Sequence, residues 1–446
     1  MKSHKIIILF LYLLTNAIGN CQAQNDNRQN MIIVSPREYI SNLTPFIEAK
    51  SYDFIDCHVI GIDSGETFSS IKLKIDNAYN QTFADYLLLV GDFEHLPAYV
   101  IDEGLSDIHY TFENENNPVP GMAVGRFSVE NEQDLQTMVN RSISRKPFSG
   151  HLVGIASQEI SELTQMSDYE QIRQMGNVLQ TKGFTSISEL FDGSQGGVDK
   201  VGNPTYTNVL EILNQGSSWL NYAGYGSYEG WNTSGFETKY IDSLNDNIEL
   251  PIIVSASCLG GHFAGRTCFA EQWMRASKNG NPIGATAVIM SSSLTDWDAT
   301  LSAMLIMAEN MPNSGNNYRL GDLYLQAYSY IVEQMHRPKD AACWILFGDP
   351  SLWVYPSTNA NSIARVPASS LKIYPNPAHD IILVDIQDLN TKITYQLFNI
   401  QGKKIEQGIL GKENSFINIH NLANGIYFIR FTDGKQVYKV EKIIKE

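Results

Sequence analysis

One cysteine stands where an α/β protein would place a nucleophile. Cys258 follows the apolar run Pro251–Val254 and precedes Leu259, Gly260 and Gly261, so a buried strand ends there and a loop of small residues begins. Ligands of open α/β sheets bind beyond the carboxyl ends of the strands, where a thiol can attack a bound carbonyl. The alternative is a core cysteine, because this residue type is often buried.

A second loop favours a site at these strand ends. The apolar stretch Trp219–Tyr222 runs into residues 223–227, which read Ala-Gly-Tyr-Gly-Ser. The paired glycines, Gly224 and Gly226, permit close backbone contact and unusual dihedral angles around Tyr225.

The elements that carry these loops predict an α/β body. From Met31 onward, short apolar runs alternate with amphipathic stretches, and most runs are continuous enough for parallel strands buried on both faces. The predicted strands are Met31–Val34, Tyr86–Val90, Leu152–Ala156, Trp219–Tyr222, Leu250–Ser255 and Ala285–Met290. The predicted helices are Glu132–Ser144, Ser167–Lys182, Tyr206–Gln215, Phe269–Asn279 and Leu320–Met335.

The pattern changes after residue 355. Residues 356–369 have the Ser, Asn, Pro and Ala composition of a linker. Beyond them, turn dipeptides separate closely spaced strands, which predicts a small β-sandwich of immunoglobulin-like (Ig-like) type over residues 370–446. These strands are Leu371–Tyr374, Ile381–Ile386, Thr394–Asn399, Phe416–Ile419, Gly425–Phe431 and Gln436–Ile443.

The composition is that of a globular protein with two or three domains. The 446 residues are 43% hydrophobic and include 22 Tyr and 19 Phe, which favours sheet. The 48 Asp and Glu outnumber the 32 Lys and Arg, for a formal charge of -16, and no basic run interrupts them. This balance argues against nucleic acid or an anionic membrane as a partner.

The first residues predict an export signal. Basic residues precede the apolar run Ile6–Leu14, and residues 21–23, Cys-Gln-Ala, fit a cleavage site. We expect residues 1–23 to be removed after Sec export, leaving Gln24 first; lipid acylation of Cys21 is the alternative. No later stretch reaches the roughly 20 apolar residues of a transmembrane helix.

Four cysteines remain after the predicted cleavage. They are Cys57, Cys258, Cys268 and Cys343. Their wide spacing indicates neither a disulfide framework nor a zinc site, although oxidation of a pair stays open in an exported chain.

A series of sequence motifs is spread over most of the body. They read YLLLVGDFEHLPAY, GMAVGRFSVENEQDLQTMVNR, GIASQEI, WLNYAGYGSYEGW, LPIIVSASCLGGHF, CFAEQWMRASKNGNPIGATAVI and ILFGDPSLWVY. Over residues 30–355 the chain resembles the gingipain-type cysteine peptidases. The resemblance implies a caspase-like, three-layer α/β fold with a parallel sheet. It also implies an N-terminal α/β subdomain over residues 24–150, a catalytic-type subdomain over residues 151–355, and hydrolysis of peptide bonds in proteins.

The same resemblance assigns roles to individual residues. Cys258 matches the nucleophile, and its backbone N–H and that of Gly226 would stabilise the oxyanion. Glu159 matches an acidic residue that orients the base. Asp168 matches the acid of a pocket for Lys or Arg at P1, and Trp297 matches a wall of that pocket; a surface carboxylate and core packing are the respective alternatives.

The glycine loop departs from the family. Where the gingipain-type peptidases have GHGS, this chain has GYGS, with Tyr225 at the position of the general base. Tyrosine, with a pKa near 10, is neutral and cannot serve as the imidazolium that raises the thiolate fraction of a cysteine. Loss of a triad base typically lowers turnover by about 10⁴ or more.

Another histidine could replace the missing base. His262 follows Cys258 by four residues, and a turn through Gly260 and Gly261 could fold it back towards the sulfur. His95 and His58 are weaker candidates. If none of them acts, the chain is a pseudopeptidase that keeps a groove for peptides or a partner.

The resemblance carries two further expectations. Family members usually have a long pro-segment ahead of the body, and since the matching strings begin soon after residue 30, we expect none here. Related enzymes bind calcium, but no EF-hand loop is visible and the expected cofactor set is empty.

The C-terminal strings indicate how the protein is exported. YPNP, LFNIQGK, NLANGIYFI and a Lys-rich last strand resemble the type A sorting domain of type IX secretion over residues 370–446. The resemblance implies the type IX machinery as a partner, passage through the outer membrane, and release or attachment at the cell surface. A carbohydrate-binding or stiffening module is the alternative.

Three functions are therefore open. The first is a secreted cysteine endopeptidase acting through Cys258, and the second is an inactive surface protein that binds peptides or a partner. The third is an adhesin, which only the predicted location at the cell surface suggests. Reactivity of the Cys258 thiol near neutral pH separates the first two, and an adhesin would be indifferent to it.

Overall fold

The computed structural model describes residues 28–102, 104–114, 117–313, 318–355, 371–386, 393–399, 404–410, 416–432 and 437–446. The predicted signal peptide and linker lie outside these residues. The chain divides into two compact units, Met1–Tyr355 and Pro356–Glu446. The boundary between subdomains at residue 150 stays a prediction.

The first unit alternates strands and helices. Its strands are β1 (Gln29–Pro36), β2 (Ile55–Ile62), β3 (Tyr86–Val90), β4 (Tyr99–Ile101), β5 (Gly104–Ser106), β6 (Phe112–Asn114), β7 (Asn117–Pro120), β8 (Ala123–Phe127), β9 (His151–Ala156), β10 (Ser186–Phe191), β11 (Trp219–Ala223), β12 (Ile252–Ala256), β13 (Ser277–Lys278), β14 (Asn281–Pro282), β15 (Ala287–Ser291) and β16 (Trp344–Phe347). Its α-helices are α1 (Thr44–Tyr52), α2 (Phe68–Thr82), α3 (Glu132–Ile143), α4 (Asp168–Thr181), α5 (Tyr206–Leu213), α6 (Thr238–Ile241), α7 (Phe269–Arg275), α8 (Trp297–Asn310), α9 (Leu320–Glu333) and α10 (Pro338–Cys343). Two 3-10 helices span Arg37–Leu43 and Ile108–Thr111.

Ten strands form one sheet, in the order β10-β9-β11-β12-β15-β16-β8-β3-β1-β2. Strands β10, β9, β11, β12 and β15 are parallel to one another. Strand β16 is antiparallel to β15 and parallel to β8, which starts a second parallel group with β3, β1 and β2. The expected parallel sheet is therefore mixed, and its two halves run in opposite directions.

Helices cover both faces of this sheet. Along β1, Ile32 and Val34 belong to one hydrophobic cluster, and Met31 and Ile33 belong to another. The first cluster is completed by α2, α4, α8 and α9, and the second by α1, α3, α5 and α7. Since successive side chains of a strand point to opposite faces, the unit has the expected three layers.

A buried arginine joins two of the sequence strings. Arg126, at the end of β8, is fully buried and donates to both carboxylate oxygens of Asp107, at 2.8 and 2.6 Å. It also donates to the carbonyls of Gly91 at 2.7 Å and Leu96 at 2.9 Å. The GDFEHLP loop after β3 is thus fixed to the end of β8.

The predicted helix Phe269–Asn279 is too long. Helix α7 ends at Arg275, and β13 and β14 then pair as a small hairpin. Asn279 and Gly280 have φ angles of 52° and 76°, which is the positive-φ pair that a two-residue hairpin turn requires. The turn chemistry of an Asn-Gly dipeptide therefore overrides the helical periodicity.

The second unit is a sandwich of two antiparallel sheets. Its strands are β17 (Leu371–Tyr374), β18 (Ile381–Ile386), β19 (Ile393–Asn399), β20 (Lys404–Leu410), β21 (Phe416–Asn418), β22 (Gly425–Thr432) and β23 (Val437–Lys445). The sheets have the orders β17-β18-β21 and β20-β19-β22-β23 and share one hydrophobic core. The predicted sandwich is confirmed, although strand β20 is missing from the sequence-based assignment.

Candidate active site

The candidate site is built from loops that leave one edge of the sheet. Because β9, β11, β12 and β15 are parallel, their carboxyl ends meet at the same edge. The loops that follow β9, β11 and β12 carry Ser157, Tyr225 and Cys258, and the loop after β15 leads into α8, which begins with Trp297. The sequence-based expectation of a site beyond these strand ends is consistent with this placement.

The backbone around Cys258 is held in a strained turn. The N–H of Gly260 donates to the carbonyl of Cys258 at 2.8 Å, and Leu259 between them has a φ of 64°. The N–H of Leu259 donates to Ser293 at 3.1 Å, which anchors the turn to the loop after β15. A leucine at positive φ in a three-residue turn is uncommon and costly, and such strain clusters at functional sites.

Gly226 brings a second backbone N–H to this turn. A Cβ added at Gly226 would lie 2.7 Å from the Cβ of Ser257 and 3.2 Å from the carbonyl oxygen of Cys258, so only glycine permits this approach. Throughout the described ranges, neither the N–H of Gly226 nor that of Cys258 has a hydrogen-bond partner. Two free donors adjacent to a thiol suit a developing oxyanion.

Tyr225 points its ring at a tryptophan. Its carbonyl accepts hydrogen bonds from the hydroxyl of Tyr222 at 2.7 Å and from the N–H of Asn232 at 3.0 Å, which fix the loop. Its side chain is 53% exposed and packs edge-on against Trp297, with ring centroids 5.0 Å apart. The residue at the expected base position is therefore an aromatic neighbour of Trp297.

Trp297 and Asp168 are joined by a hydrogen bond. Trp297 Nε1–H donates to Asp168 Oδ1 at 2.7 Å, and Ser157 Oγ donates to Asp168 Oδ2 at 2.5 Å. Burial raises the pKa of Asp168 to about 6, although the two hydrogen bonds oppose this shift. The carboxyl group, predicted to face a basic P1 side chain, lies buried with both oxygens already accepting.

Glu159 lies beside this cluster but contacts no imidazole. Its N–H donates to Ser157 Oγ at 3.1 Å, and its carbonyl accepts from the N–H of Asp168 at 2.8 Å. The side chain is exposed, and within the described part of the chain no histidine ring is hydrogen-bonded to it. Its predicted role in orienting a base stays a prediction.

His262 is the histidine nearest to Cys258 in the chain, and its ring is held in place. Its N–H donates to Leu259 at 3.1 Å, closing a turn, and its Nδ1 lies 2.8 Å from the carbonyl of Ser292. A carbonyl only accepts, so Nδ1 carries the hydrogen and Nε2 of the neutral ring is an acceptor. Its ring also packs edge-on against Tyr228, with centroids 5.5 Å apart. Among the described residues, no side chain is hydrogen-bonded to the Cys258 sulfur.

The other two histidine candidates lie elsewhere. His95 follows β3, which runs opposite to β12, and its Nδ1 lies 2.6 Å from Asp92 Oδ1. His58 is on β2 at the edge of the sheet, with Nε2 3.0 Å from Asn30 Oδ1. His95 and His58 thus belong to the half of the sheet that runs opposite to β12, and the loop of His95 leaves the other edge of the sheet from Cys258.

Comparison with models of known protein families assigns this chain to a family. Residues 24–355 match the model described as Peptidase family C25, which is well over half of the chain.

The chain belongs to peptidase family C25.

Residues 372–446 match the Secretion system C-terminal sorting domain. Among curated proteins, this family C25 chain is 30% identical to Gingipain R2 of Porphyromonas gingivalis over 345 residues, which are 73% of this chain and 46% of that protein. It is 30% identical to Gingipain R1 over 352 residues, or 74% of this chain and 34% of that protein. The chain thus spans less than half the length of these relatives.

Solved structures show the same fold. The crystal structure of the Arg-specific cysteine proteinase gingipain R gives a TM-score of 0.70 at 24% identity and covers 95% of this chain and 99% of that one. The complex of Porphyromonas gingivalis RgpB pro- and mature domains gives 0.71 at 25% identity and covers 94% and 100%. The caspase-like architecture expected from the strings is confirmed.

Several residues that hydrogen-bond to the predicted site residues of this family C25 chain were not predicted from the sequence. They are Ser157, which binds Asp168, and Ser292 and Ser293, which hold His262 and Leu259. The available signal was their position directly after the buried strands β9 and β15. All four cysteines in the described residues are free, and no group of three or more His, Cys, Asp or Glu there could hold a metal ion. The expected cofactor set, including whether calcium binds, stays a prediction.

Proposed function

We propose that this family C25 member is a secreted cysteine endopeptidase that hydrolyses peptide bonds of proteins through Cys258. The observation that carries the proposal is that Gly226 packs closely against Ser257 and the carbonyl of Cys258, and that the N–H groups of Gly226 and Cys258 both lack a hydrogen-bond partner among the described residues. A structural cysteine needs no such pair. A nucleophile does, because it creates an oxyanion when it attacks a carbonyl.

His262 supplies the base in this proposal. The bond between its Nδ1–H and Ser292 leaves Nε2 as a proton acceptor on the turn that follows Cys258. Nε2 takes the thiol proton as the sulfur attacks the peptide carbonyl, and returns it to the departing amine. Water then cleaves the thioester, with His262 taking the proton of the water and giving it back to the sulfur.

Asp168 and Trp297 define the proposed P1 pocket. The names of the relatives describe specificity for Arg in gingipain R and include a Lys-gingipain. A buried carboxyl is a suitable partner for either cation. A P1 Arg or Lys would replace the hydrogen bond from Trp297 or Ser157, so we propose that Trp297 moves when the substrate binds.

A peptide-binding protein without hydrolysis is the second candidate. Tyr225 at the base position favours it, because this side chain contacts Trp297 and cannot act as an imidazolium. Such a protein would bind a peptide at the same loops. The two functions differ in what happens to a bound peptide.

The sorting domain directs the protein to secretion or attachment at the cell surface. No helix within the described residues has the length and apolar character needed to cross a membrane. We propose that the type IX machinery is the partner that reads this domain. The substrates are then proteins or peptides outside the cell.

Cleavage of a mixed peptide library tests the proposal. The full mature chain would be compared with Cys258→Ala at neutral pH, with products identified by mass spectrometry. Cleavage by the unaltered chain that disappears in Cys258→Ala supports the endopeptidase. Binding of peptides by both chains without any products would instead support the second candidate.

A further inference from the structure

Large apolar side chains are exposed around the candidate site. Ile160 is 66% exposed, Leu163 59%, Leu294 64% and Tyr225 53%. Three of the four lie on the two loops that leave β9 and β15, and the fourth lies on the loop after β11. Single exposed apolar residues are ordinary, but a group on adjoining loops indicates a contact surface.

Specific contacts hold these loops together. The N–H of Leu163 donates to Asp298 Oδ2 at 3.2 Å, and the hydroxyl of Ser161 donates to Oδ1 of the same residue. The loop of Ile160 and Leu163 is thereby tied to the first turn of α8. Since that turn begins with Trp297, which Tyr225 contacts, the first turn of α8 connects the loop of Ile160 and Leu163 to the loop of Tyr225.

Leu294 connects this surface to the nucleophile. The preceding residue, Ser293, accepts the hydrogen bond that anchors Leu259 next to Cys258. Leu294 is therefore separated from the Cys258 turn by a single hydrogen-bonded step, and it lies three residues before Trp297. A peptide extended across Cys258 would pass this side chain.

Acidic side chains next to this surface limit the kind of peptide that can bind to it. Glu159 and Glu162 flank Ile160 on the same loop; both are exposed, and neither has an ion-pair partner in the described residues. Their carboxylates would repel an acidic peptide. A segment with apolar side chains and without acidic ones fits both features.

We infer that Ile160, Leu163, Tyr225 and Leu294 form a subsite for an apolar side chain of an extended peptide, next to the residue at the scissile bond. The inference rests on the proposed function for the position of the peptide. It adds a preference for Leu, Ile, Val or Phe beside the cleaved bond and against Asp or Glu there. Leu294 is the residue to test first, because it is 64% exposed and directly follows Ser293, which binds the turn next to Cys258.

Binding to the Cys258→Ala chain tests this subsite without requiring hydrolysis. The probes are two pools of fluorescein-labelled peptides with equal Lys and Arg content, one rich in Leu, Val and Phe and the other rich in Ser, Asn and Thr. We expect tighter binding of the apolar pool by fluorescence anisotropy. Leu294→Ser in the same background should weaken it by about tenfold, since one leucine contact is lost, and should leave the polar pool unchanged.

Leu73→Ser is the matched control. Leu73 lies on α2 and is 62% exposed, close to Leu294, but it is far from these loops in the sheet order. It should change neither pool. Equal binding of both pools, no binding of either, or no effect of Leu294→Ser would overturn the subsite. Selective binding by a chain whose unaltered form cleaves nothing would keep the subsite and reject the peptidase.

Discussion

The ring of Tyr225 lies edge-on against Trp297, 5.0 Å between centroids, and Trp297 in turn donates a 2.7 Å hydrogen bond to Asp168. The residue in the base position of family C25 is thus coupled to the proposed P1 pocket and makes no hydrogen bond to the Cys258 sulfur within the described residues. The proposed nucleophile, Cys258, and the proposed oxyanion donors are thus accompanied by a tyrosine at the expected base position.

Tyr225→His should restore the family arrangement. An imidazole between Gly224 and Gly226 would stand where the related peptidases have theirs, and general-base catalysis typically contributes about 10²–10⁴-fold. Since His262 already supplies about 10² of this factor in the proposed mechanism, we expect kcat/KM for library peptides to rise by up to about a hundredfold. Tyr225→Phe keeps the aromatic contact and should leave the rate unchanged. A Tyr225→His chain as slow as Tyr225→Phe would contradict the retained scaffold.

The substitution His262→Gln tests whether His262 acts as the general base. In the unaltered chain we expect a loss of about 10² or more in kcat with a smaller change in KM, because Gln cannot accept the proton. In the Tyr225→His background the same change should matter little. His95→Gln is the control, since His95 lies at the opposite edge of the sheet. Equal losses in both backgrounds would indicate a structural role for His262.

Asp168 should make stability depend on pH. Its pKa in the folded protein, about 6, lies above the usual 3.8, so the folded chain keeps the proton to higher pH than the unfolded chain. The free energy of unfolding should fall by about 3 kcal/mol in total as the pH rises from about 3 to about 7, with most of the loss between the two pKa values, and then level off. Urea unfolding at several pH values checks this against Asp168→Asn, which should lack the slope. If the unfolding free energies of the unaltered chain and of Asp168→Asn changed with pH in parallel, the prediction would be wrong. The control is Asp76→Asn, because Asp76 forms a surface ion pair with Lys72.

Leu259 should prefer glycine to alanine. At a φ of 64° an alanine keeps the strain of the turn, whereas glycine removes it, so Leu259→Gly should unfold with about 1 kcal/mol more free energy than Leu259→Ala. The same pair at Leu73, on helix α2, should show the reverse order by a similar amount. Chemical denaturation of the four variants measures both differences. The same order at both positions would exclude a strained turn.

Arg126→Met should be strongly destabilising. The change leaves the Asp107 carboxylate buried without its cation and removes the donors of two loop carbonyls, which we expect to cost about 3–5 kcal/mol in urea unfolding. Arg37→Met breaks an exposed pair with Asp63 and should have no measurable effect. Similar losses for both would show that burial does not set the cost.

The local sequence pattern predicted most of the helices and strands, and the strands that it missed have local reasons. Strand β3 matches its predicted bounds, Tyr86–Val90, because all five residues are apolar and buried. Strand β2, Ile55–Ile62, escaped notice because it lies at the edge of the sheet and is half exposed, so its apolar pattern is interrupted. Strand β16 is only four residues long, and its reversed direction depends on pairing with β15 and β8.

The sequence by itself determined the family, the sorting tail, the position of Cys258 after a buried strand and the replacement at Tyr225, because each is a matter of residue type and order. Only the tertiary structure decided that Tyr225 contacts Trp297, that Asp168 is buried with both oxygens accepting, and that the Nδ1 of His262 is bound by Ser292. These relationships join residues 11 to 129 positions apart. They arise because parallel strands bring their carboxyl ends to one edge, and neither strand order nor side-chain direction is encoded in the spacing of the residues.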